Sequence, residues 1–174
     1  LSQGEPEKPL VICVGRLSHE KRVGWLIEVA KNIPDIRIAI IGGGPAEVEL
    51  KDNFKGTPTF FPGYMRGEDL AAAYASADVF AFPSDTETLG FVAMESMASG
   101  VPVVGARAGG IPDVIEHDVN GLMFDSEDRS DFRAKMEQLL TDSELRTRLA
   151  TRARADMETC NWRSATERLV DYYH

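Results

Sequence analysis

The chain has 174 residues, of which 43% are hydrophobic and 27% charged, and these values fit one globular domain with its own core. Its net charge of −9 argues against general nucleic-acid binding and against polybasic attachment to anionic lipid, because both need a basic surface. No apolar run approaches the ~20 residues of a membrane-spanning helix, and the two distant cysteines, Cys13 and Cys160, give neither a disulfide framework nor the spacing of a metal site.

Short apolar runs recur along the chain and predict buried parallel strands. The first, Leu10–Val14, is rich in β-branched residues and ends at Gly15. Cys13 lies inside it, which favours a buried, reduced thiol. The predicted strands cover residues 10–14, 36–41, 59–61, 79–82 and 101–106, with a short sixth strand at 122–124.

Apolar residues spaced three and four apart predict helices between these strands. The first such face runs from Val23 to Ile33 and ends before Pro34, and Pro45 opens a polar helix that continues to about Phe54. Further helices are predicted at 68–77 and 90–99. The inward positions of the first of these are Leu70, Ala73, Tyr74 and Ala77.

The C-terminal third is predicted to be helical. Phe132, Met136, Leu139 and Leu140 mark one amphipathic face. Thr141 and Glu144 have capping-box spacing, which predicts that a second helix opens at Thr141. The second helix would bury Leu145, Leu149, Ala153 and Met157, and a last helix, capped by Asn161, would bury Trp162, Ala165, Leu169 and Tyr172 or Tyr173.

The alternation of strands and helices predicts an α/β fold, a Rossmann-like doubly wound parallel sheet followed by extra C-terminal helices. We find no linker, internal repeat or low-complexity tract, so residues 1–174 are predicted to form a single domain. Because the chain begins at Leu1 rather than Met, we expect it to be part of a longer protein. Ligands of such sheets bind beyond the carboxyl ends of the strands.

The first cluster at such a strand end is Gly15 to Lys21. The glycine allows close approach of a ligand to the backbone, and Arg16 and Lys21 supply two cations suited to a diphosphate. The alternative is a solvated turn with a salt bridge at the start of a helix.

The second cluster runs from Pro83 to Glu95. A helix that begins near Gly90 would present the free N–H groups of residues 89–92 to an anion. Glu87 and Glu95 flank this site, and a carboxylate accepts hydrogen bonds from two neighbouring hydroxyl groups, as in a sugar or ribose. The alternatives are an exposed helix residue for Glu95 and an acid that favours the helix dipole for Glu87.

Two glycine clusters have open interpretations. Gly109–Gly110 follows the fifth strand, and Gly42–Gly44 follows the second. Each pair or run favours close approach to a ligand or a tight turn. Asp85 and Glu87 are only a thin basis for a metal site, so no metal is expected.

Together these segments resemble the donor-binding domain of the retaining GT-B glycosyltransferases of family four. The resemblance covers roughly residues 10 to 125. It rests on Gly15-Arg16 with Glu20-Lys21, Gly42-Gly43-Gly44-Pro45, Tyr74-Ala-Ser-Ala-Asp78, Pro83-Ser84, Glu87 and Glu95 with seven residues between them, Gly100-Val-Pro-Val104, and Gly109-Gly110-Ile111.

The resemblance implies a role for each site residue. Glu87 is the expected catalytic residue, acting by orienting the sugar, and Glu95 is expected to hold the ribose. Tyr64 and Met65 are expected near the base. The donor diphosphate is expected at Gly15, Arg16, Lys21, Leu89, Gly90, Phe91 and Val92, and the donor sugar at Glu87, Thr88, Leu89 and Gly90.

Three segments also resemble the sulfoquinovosyltransferases of sulfolipid synthesis. They are 4–9, 84–90 and 106–113. This resemblance implies a UDP-sulfoquinovose donor, a diacylglycerol acceptor, and a place at the chloroplast envelope or the membrane of a photosynthetic cell, with a cytoplasmic protein as the alternative. No cofactor is expected, and the lipid acceptor and any membrane association would involve an N-terminal domain that this chain lacks. The chain alone is expected to bind UDP weakly and to transfer nothing.

Several alternatives stay open. Another family-four enzyme would move glucose or mannose. A nicotinamide-binding domain is disfavoured, because Gly15-Arg16-Leu17-Ser18 lacks the three-glycine dinucleotide turn. A non-catalytic nucleotide-binding or interaction module would keep the fold and lose the site.

Overall fold

The structure, a computed structural model that describes residues 7–160, is built around parallel strands that pair into one sheet. The strands are β1 Leu10–Val14, β2 Arg37–Ile41, β3 Thr59–Gly63, β4 Val79–Phe82, β5 Val103–Ala106 and β6 Gly121–Phe124. Their order across the sheet is β3-β2-β1-β4-β5-β6. This order confirms the predicted doubly wound sheet and puts its topological switch point between β1 and β4.

Helices cover both faces of this sheet. They are α1 Leu26–Asn32, α2 Glu47–Asn53, α3 Gly67–Ala75, α4 Phe91–Ala98, α5 Arg129–Thr141 and α6 Ser143–Thr159. Along β1, Val11 and Cys13 belong to the apolar cluster under α1, α2 and α5, whereas Leu10 and Ile12 belong to the cluster under α3 and α4. Both faces of the strand are therefore buried, which explains why its sequence is continuously apolar.

The predicted start of the second C-terminal helix is wrong by one residue. Thr141 is the last residue of α5, and Asp142 caps α6 by accepting a hydrogen bond from the Leu145 N–H at 2.9 Å. Aspartate satisfies a first-turn N–H group as well as threonine does, so the spacing alone could not choose between them. The predicted helix that begins at Asn161 lies outside the described residues. Among residues 7–160, none of the helices combines the length and apolarity needed to cross a membrane.

Other element ends differ from the predictions by a few residues. The periodic face that starts at Val23 begins as a 3-10 turn, Val23–Trp25, ahead of α1. β5 starts at Val103 rather than at residue 101. Pro102 has no N–H group for the ladder, although its carbonyl accepts from the Phe80 N–H at 2.9 Å.

Candidate functional site

A groove of about 430 Å³ opens at the switch point, beyond the carboxyl ends of β1 and β4. One wall is the end of β1 with the turn that follows it. The other wall is the segment 83–90, called here the acid loop, with the first turn of α4. This main groove is lined by Cys13, Val14, Gly15, Arg16, Lys21, Val23, Phe82, Pro83, Ser84, Thr86, Glu87, Thr88, Leu89, Gly90, Phe91 and Val92.

An ion pair spans the main groove. Lys21 Nζ lies 2.5 Å from Glu87 Oε1, and the two side chains are only 26% and 18% exposed. The residues are 66 positions apart in sequence. The local alternatives are therefore wrong for both residues, because Lys21 forms no local helix-start pair and Glu87 precedes the first turn of α4.

Arg22, next to Lys21, holds the same acid loop from a second point. Its guanidinium pairs with Asp85, donates to the Ser126 carbonyl at 2.5 Å, and lies 5.1 Å from the centre of the Trp25 ring. Its backbone adopts φ 51°, a left-handed conformation that non-glycine residues seldom adopt. Three segments of the chain are thus tied together beside the groove.

The N-terminus of α4 faces the main groove. Gly90 precedes the helix with φ 62° and ψ 38°, and its carbonyl accepts from the N–H groups of Ala93 at 2.9 Å and Met94 at 3.1 Å. The N–H groups of Phe91 and Val92 come before these, and the first N–H groups of an α-helix have no intrahelical partner. The helix start therefore presents donors and a positive dipole end to the groove.

The paired glycines after β5, Gly109 and Gly110, pack against the backbone of the acid loop. A Cβ atom at Gly109 would lie 2.3 Å from the Glu87 carbonyl oxygen, and one at Gly110 would lie 1.9 Å from the Thr88 carbonyl oxygen. The Gly110 N–H also donates to the Glu87 carbonyl at 2.8 Å. These glycines thus permit a close approach of protein backbone, and this contact positions the part of the acid loop that carries Glu87.

The glycine run after β2 works in the same way on the opposite wall. A Cβ atom at Gly42 would lie 1.9 Å from the Gly15 carbonyl oxygen, and one at Gly44 would lie 2.4 Å from that of Leu17. The Leu17 N–H donates to the Gly43 carbonyl at 3.0 Å. The turn that carries Arg16 and Lys21 therefore rests against the end of β2.

A side groove of about 510 Å³ continues from the main groove towards β2 and β3. β3 extends to Gly63, two residues beyond the predicted end, so Tyr64 directly follows the strand. The side groove shares Val14, Gly15, Arg16 and Val92 with the main groove and adds Ile41, Gly42, Gly43, Tyr64, Met65, Leu70 and Glu95.

Glu95 is held by a buried phenol at the side groove. Tyr74 donates its hydroxyl to Glu95 Oε2 at 3.0 Å and contacts the Val92 carbonyl at 3.2 Å. Burial and, second, the Glu95 carboxylate raise the pKa of Tyr74, so the hydroxyl keeps its proton. Glu95 is exposed, as the alternative interpretation held, but its carboxylate is oriented.

The structure brings all the predicted site residues to these two connected grooves. The diphosphate and sugar candidates line the main groove, and Tyr64, Met65 and Glu95 line the side groove. Sequence reasoning missed the Lys21–Glu87 pair, the clamp made by Arg22, and the support that Tyr74 gives to Glu95. Tyr74 had two signals in the sequence, its place in the Tyr74-Ala-Ser-Ala-Asp78 segment of the resemblance and its inward position in α3, and the structure confirms the second.

Two further groups bear on chemistry. Cys13 lies under the main groove as a buried, free thiol, as predicted, and burial raises its pKa to about 12. Asp85 and Glu87 each pair with a cation. Within residues 7–160, no group of three or more His, Cys, Asp or Glu side chains is placed to hold a metal ion.

Comparison with known families decides the affiliation. The family described as glycosyl transferases group 1 matches residues 2–156. The chain belongs to this family. The resemblance to GT-B glycosyltransferases that its motifs predicted is therefore confirmed.

Curated relatives of this glycosyl transferase group 1 chain differ in their donors. It is 48% identical over 172 residues to the sulfoquinovosyl transferase SQD2 of Arabidopsis thaliana, a match that covers 97% of the chain and 34% of that protein. It is 33% identical over 166 residues to a GDP-mannose-dependent alpha-mannosyltransferase of Corynebacterium glutamicum, covering 95% of the chain and 40% of that protein. The chain thus spans well under half the length of these relatives.

Two solved structures share the fold of the chain. HepE of Anabaena, in complex with UDP and glucose, is 25% identical and superposes with a TM-score of 0.80, covering 87% of this chain and 44% of HepE. The C-terminal domain of LpcC, a glycosyl transferase group 1 protein of Francisella tularensis, is 25% identical with a TM-score of 0.77, covering 91% of this chain and 90% of that domain. The solved C-terminal domain of LpcC therefore has nearly the same extent as this chain and the same fold.

Proposed function

We propose that this chain is the donor-binding domain of a retaining glycosyltransferase and that it takes a UDP-sugar into the two connected grooves. The observation that carries the proposal is the meeting of Lys21, Glu87 and the start of α4 at the switch point of the sheet. Cations, bare amides and a carboxylate are the groups that a sugar diphosphate needs. The similarity to HepE, whose structure contains UDP and glucose, supports this ligand.

The diphosphate would lie between Arg16, Lys21 and the N–H groups of Phe91 and Val92. When the bond to the sugar breaks, negative charge grows on the departing UDP. Once the donor is bound, these cations and amides stabilise such charge at the position where it develops. We propose that these protein groups, rather than a bound metal, carry that part of the catalysis.

The sugar would lie against the acid loop, with Glu87 as the residue that orients its hydroxyl groups. The ribose would reach Glu95, whose carboxylate is already oriented by Tyr74. The base would then lie in the side groove beside Tyr64 and Met65. This order follows the connection of the two grooves through Arg16 and Val92.

The proposed donor sugar is sulfoquinovose and the proposed acceptor diacylglycerol, because of the 48% identity to a sulfoquinovosyl transferase. The acceptor site and the residues on the far side of the sugar would come from outside this chain. The chain alone is then expected to bind UDP without transferring sugar.

A nucleotide titration followed by NMR tests the proposal. UDP added to the chain should shift the amide signals of Gly90 and its neighbours, whereas ADP and NADH should not. Titration with GDP tests the second candidate function, a mannosyltransferase, which the relative from Corynebacterium glutamicum favours. Stronger binding of GDP than of UDP would replace the proposed donor with that one.

Two lysine variants give the matched control. Lys21→Met should weaken UDP binding roughly tenfold or more, because a charged hydrogen bond to the diphosphate is lost. Lys51→Met removes a lysine that pairs with Glu47 on α2, outside both grooves, and should leave the affinity unchanged. Equal affinities for the two variants would reject the site, and so would a failure of UDP to bind the chain.

A further inference from the structure

Before any ligand arrives, two of the charged groups that line the main groove, Lys21 and Glu87, neutralise each other. Lys21 Nζ and Glu87 Oε1 are 2.5 Å apart, and both side chains are largely buried. Under the proposed function they have different partners, the diphosphate for Lys21 and the sugar hydroxyl groups for Glu87. Binding of the donor therefore has to change the partner of each group.

The backbone of Glu87 is held by contacts other than the one to Lys21. The Gly110 N–H fixes the Glu87 carbonyl at 2.8 Å, and Arg22 holds Asp85 two residues earlier. The acid loop is thus attached to the protein by contacts that do not include Lys21. The long, flexible lysine side chain is the partner that is free to turn towards a phosphate.

A carboxylate that loses its cation in a mostly buried position needs new hydrogen-bond donors, because an unpaired buried charge is costly. The hydroxyl groups of a bound sugar are such donors. UDP has no sugar at this position. Its diphosphate would take Lys21 and leave Glu87 without a partner, close to the negative charge of the diphosphate.

We propose that the Lys21–Glu87 pair makes the site discriminate between donor and product, opposing the binding of UDP and admitting the UDP-sugar that supplies hydroxyl groups to Glu87. This inference rests on the proposed function. It gives Glu87 a role in releasing UDP that is separate from orienting the sugar. The pair is an internal competitor for the diphosphate, and its removal should help UDP.

Glu87→Gln tests this directly, since it keeps the shape of the side chain and removes the charge. UDP affinity, measured by NMR titration or calorimetry, should rise about three- to tenfold, because Lys21 no longer has to leave a carboxylate. The affinity for UDP-glucose should rise less or fall, since the amide is a poorer acceptor for hydroxyl groups. The preference for UDP-glucose over UDP should therefore shrink.

Two controls separate this competition from a general change in charge. Glu20→Gln removes a nearby exposed carboxylate that is bound to Ser18, and UDP affinity should change little. In a Lys21→Met background, Glu87→Gln should lose most of its effect, as a double-mutant cycle would record. Thermal unfolding of each variant verifies that it is folded.

The outcomes distinguish the two proposals. No binding of UDP by the unmodified chain overturns the proposed function and this inference with it. UDP binding that is unchanged or weaker in Glu87→Gln overturns the inference alone. A gain in affinity that persists in full without Lys21 also overturns it, because the effect would then be the net charge of the groove.

Discussion

Replacing Gly110 by alanine should damage both the fold and the groove. Gly110 has φ −85° and ψ 3°, values that alanine adopts without strain, so the effect comes from contact alone. The new Cβ atom would lie 1.9 Å from the Thr88 carbonyl oxygen. That oxygen would have to move by about 1.5 Å to reach an ordinary van der Waals distance, and the hydrogen bond from Gly110 to Glu87 would be stretched or lost.

The loss of stability expected for Gly110→Ala is the sum of these two effects. Overpacking costs typically about 1–3 kcal/mol, and a lost hydrogen bond about 1 kcal/mol more. For a chain of this size, the midpoint of thermal unfolding should fall on the order of 5–15 °C. Glu87 would move with the loop, so UDP affinity should fall even at temperatures where the variant is folded.

Gly24→Ala is the matched control for this substitution. The nearest atom to its new Cβ would be Leu50 Cδ2, at an ordinary 3.9 Å, and the residue lies outside both grooves. Denaturant unfolding and a UDP titration on both variants would compare the two sites. If Gly110→Ala were as stable as Gly24→Ala and bound UDP equally well, the assignment of Gly110 as a support of the acid loop would be refuted.

Two further predictions concern stability. Asp142→Ala should lower the free energy of unfolding by about 1 kcal/mol through loss of the α6 cap, whereas Thr141→Ala should change it little; the reverse ranking in urea unfolding would restore the cap predicted from sequence. Burial, aided by the charges of Lys135 and Arg107, lowers the pKa of His117, whose Nδ1 accepts from the Met123 N–H at 2.9 Å. The unfolded chain therefore binds the proton more strongly than the folded one, and stability should decline as the pH falls from about 6.5 through the lowered pKa. In His117→Asn, urea unfolding between pH 7.5 and 5.5 should show a smaller decline, and an equal decline would exclude His117 as its cause.

The strands of the sheet and the place of the site beyond their carboxyl ends were predictable because periodicity and strand ends are local properties. Leu10–Val14 is apolar on both faces and Gly15 ends it, so the sequence of this segment alone predicts a buried strand. The phosphate-binding candidates were found for the same reason, as their clusters follow strand ends, whereas Tyr64 and Met65 were implied by the family resemblance. The structure adds their arrangement in two connected grooves.

The side-chain and backbone contacts that build the groove were not predictable, because each of them joins two segments that are distant in sequence. Lys21 and Glu87 each had a plausible local interpretation, and nothing in either segment names the other as its partner. The glycines at 109 and 110 signal a close approach, but their sequence does not say whether the approaching group is a ligand or the Thr88 carbonyl. The N-cap of α6 was predicted at Thr141 instead of Asp142, because either side chain can accept a hydrogen bond from a first-turn N–H group.

The wide separation of the groove residues has a consequence for folding order. Lys21 reaches Glu87 across 66 positions and Arg22 reaches Ser126 across 104. These links close only after β4 has docked beside β1 and the segment after β6 has joined them, and such non-local closures come late and slowly. A chain still emerging during synthesis would complete its first strands and helices well before it could recognise a nucleotide, so ligand recognition would mark the end of folding of this domain rather than assist its beginning.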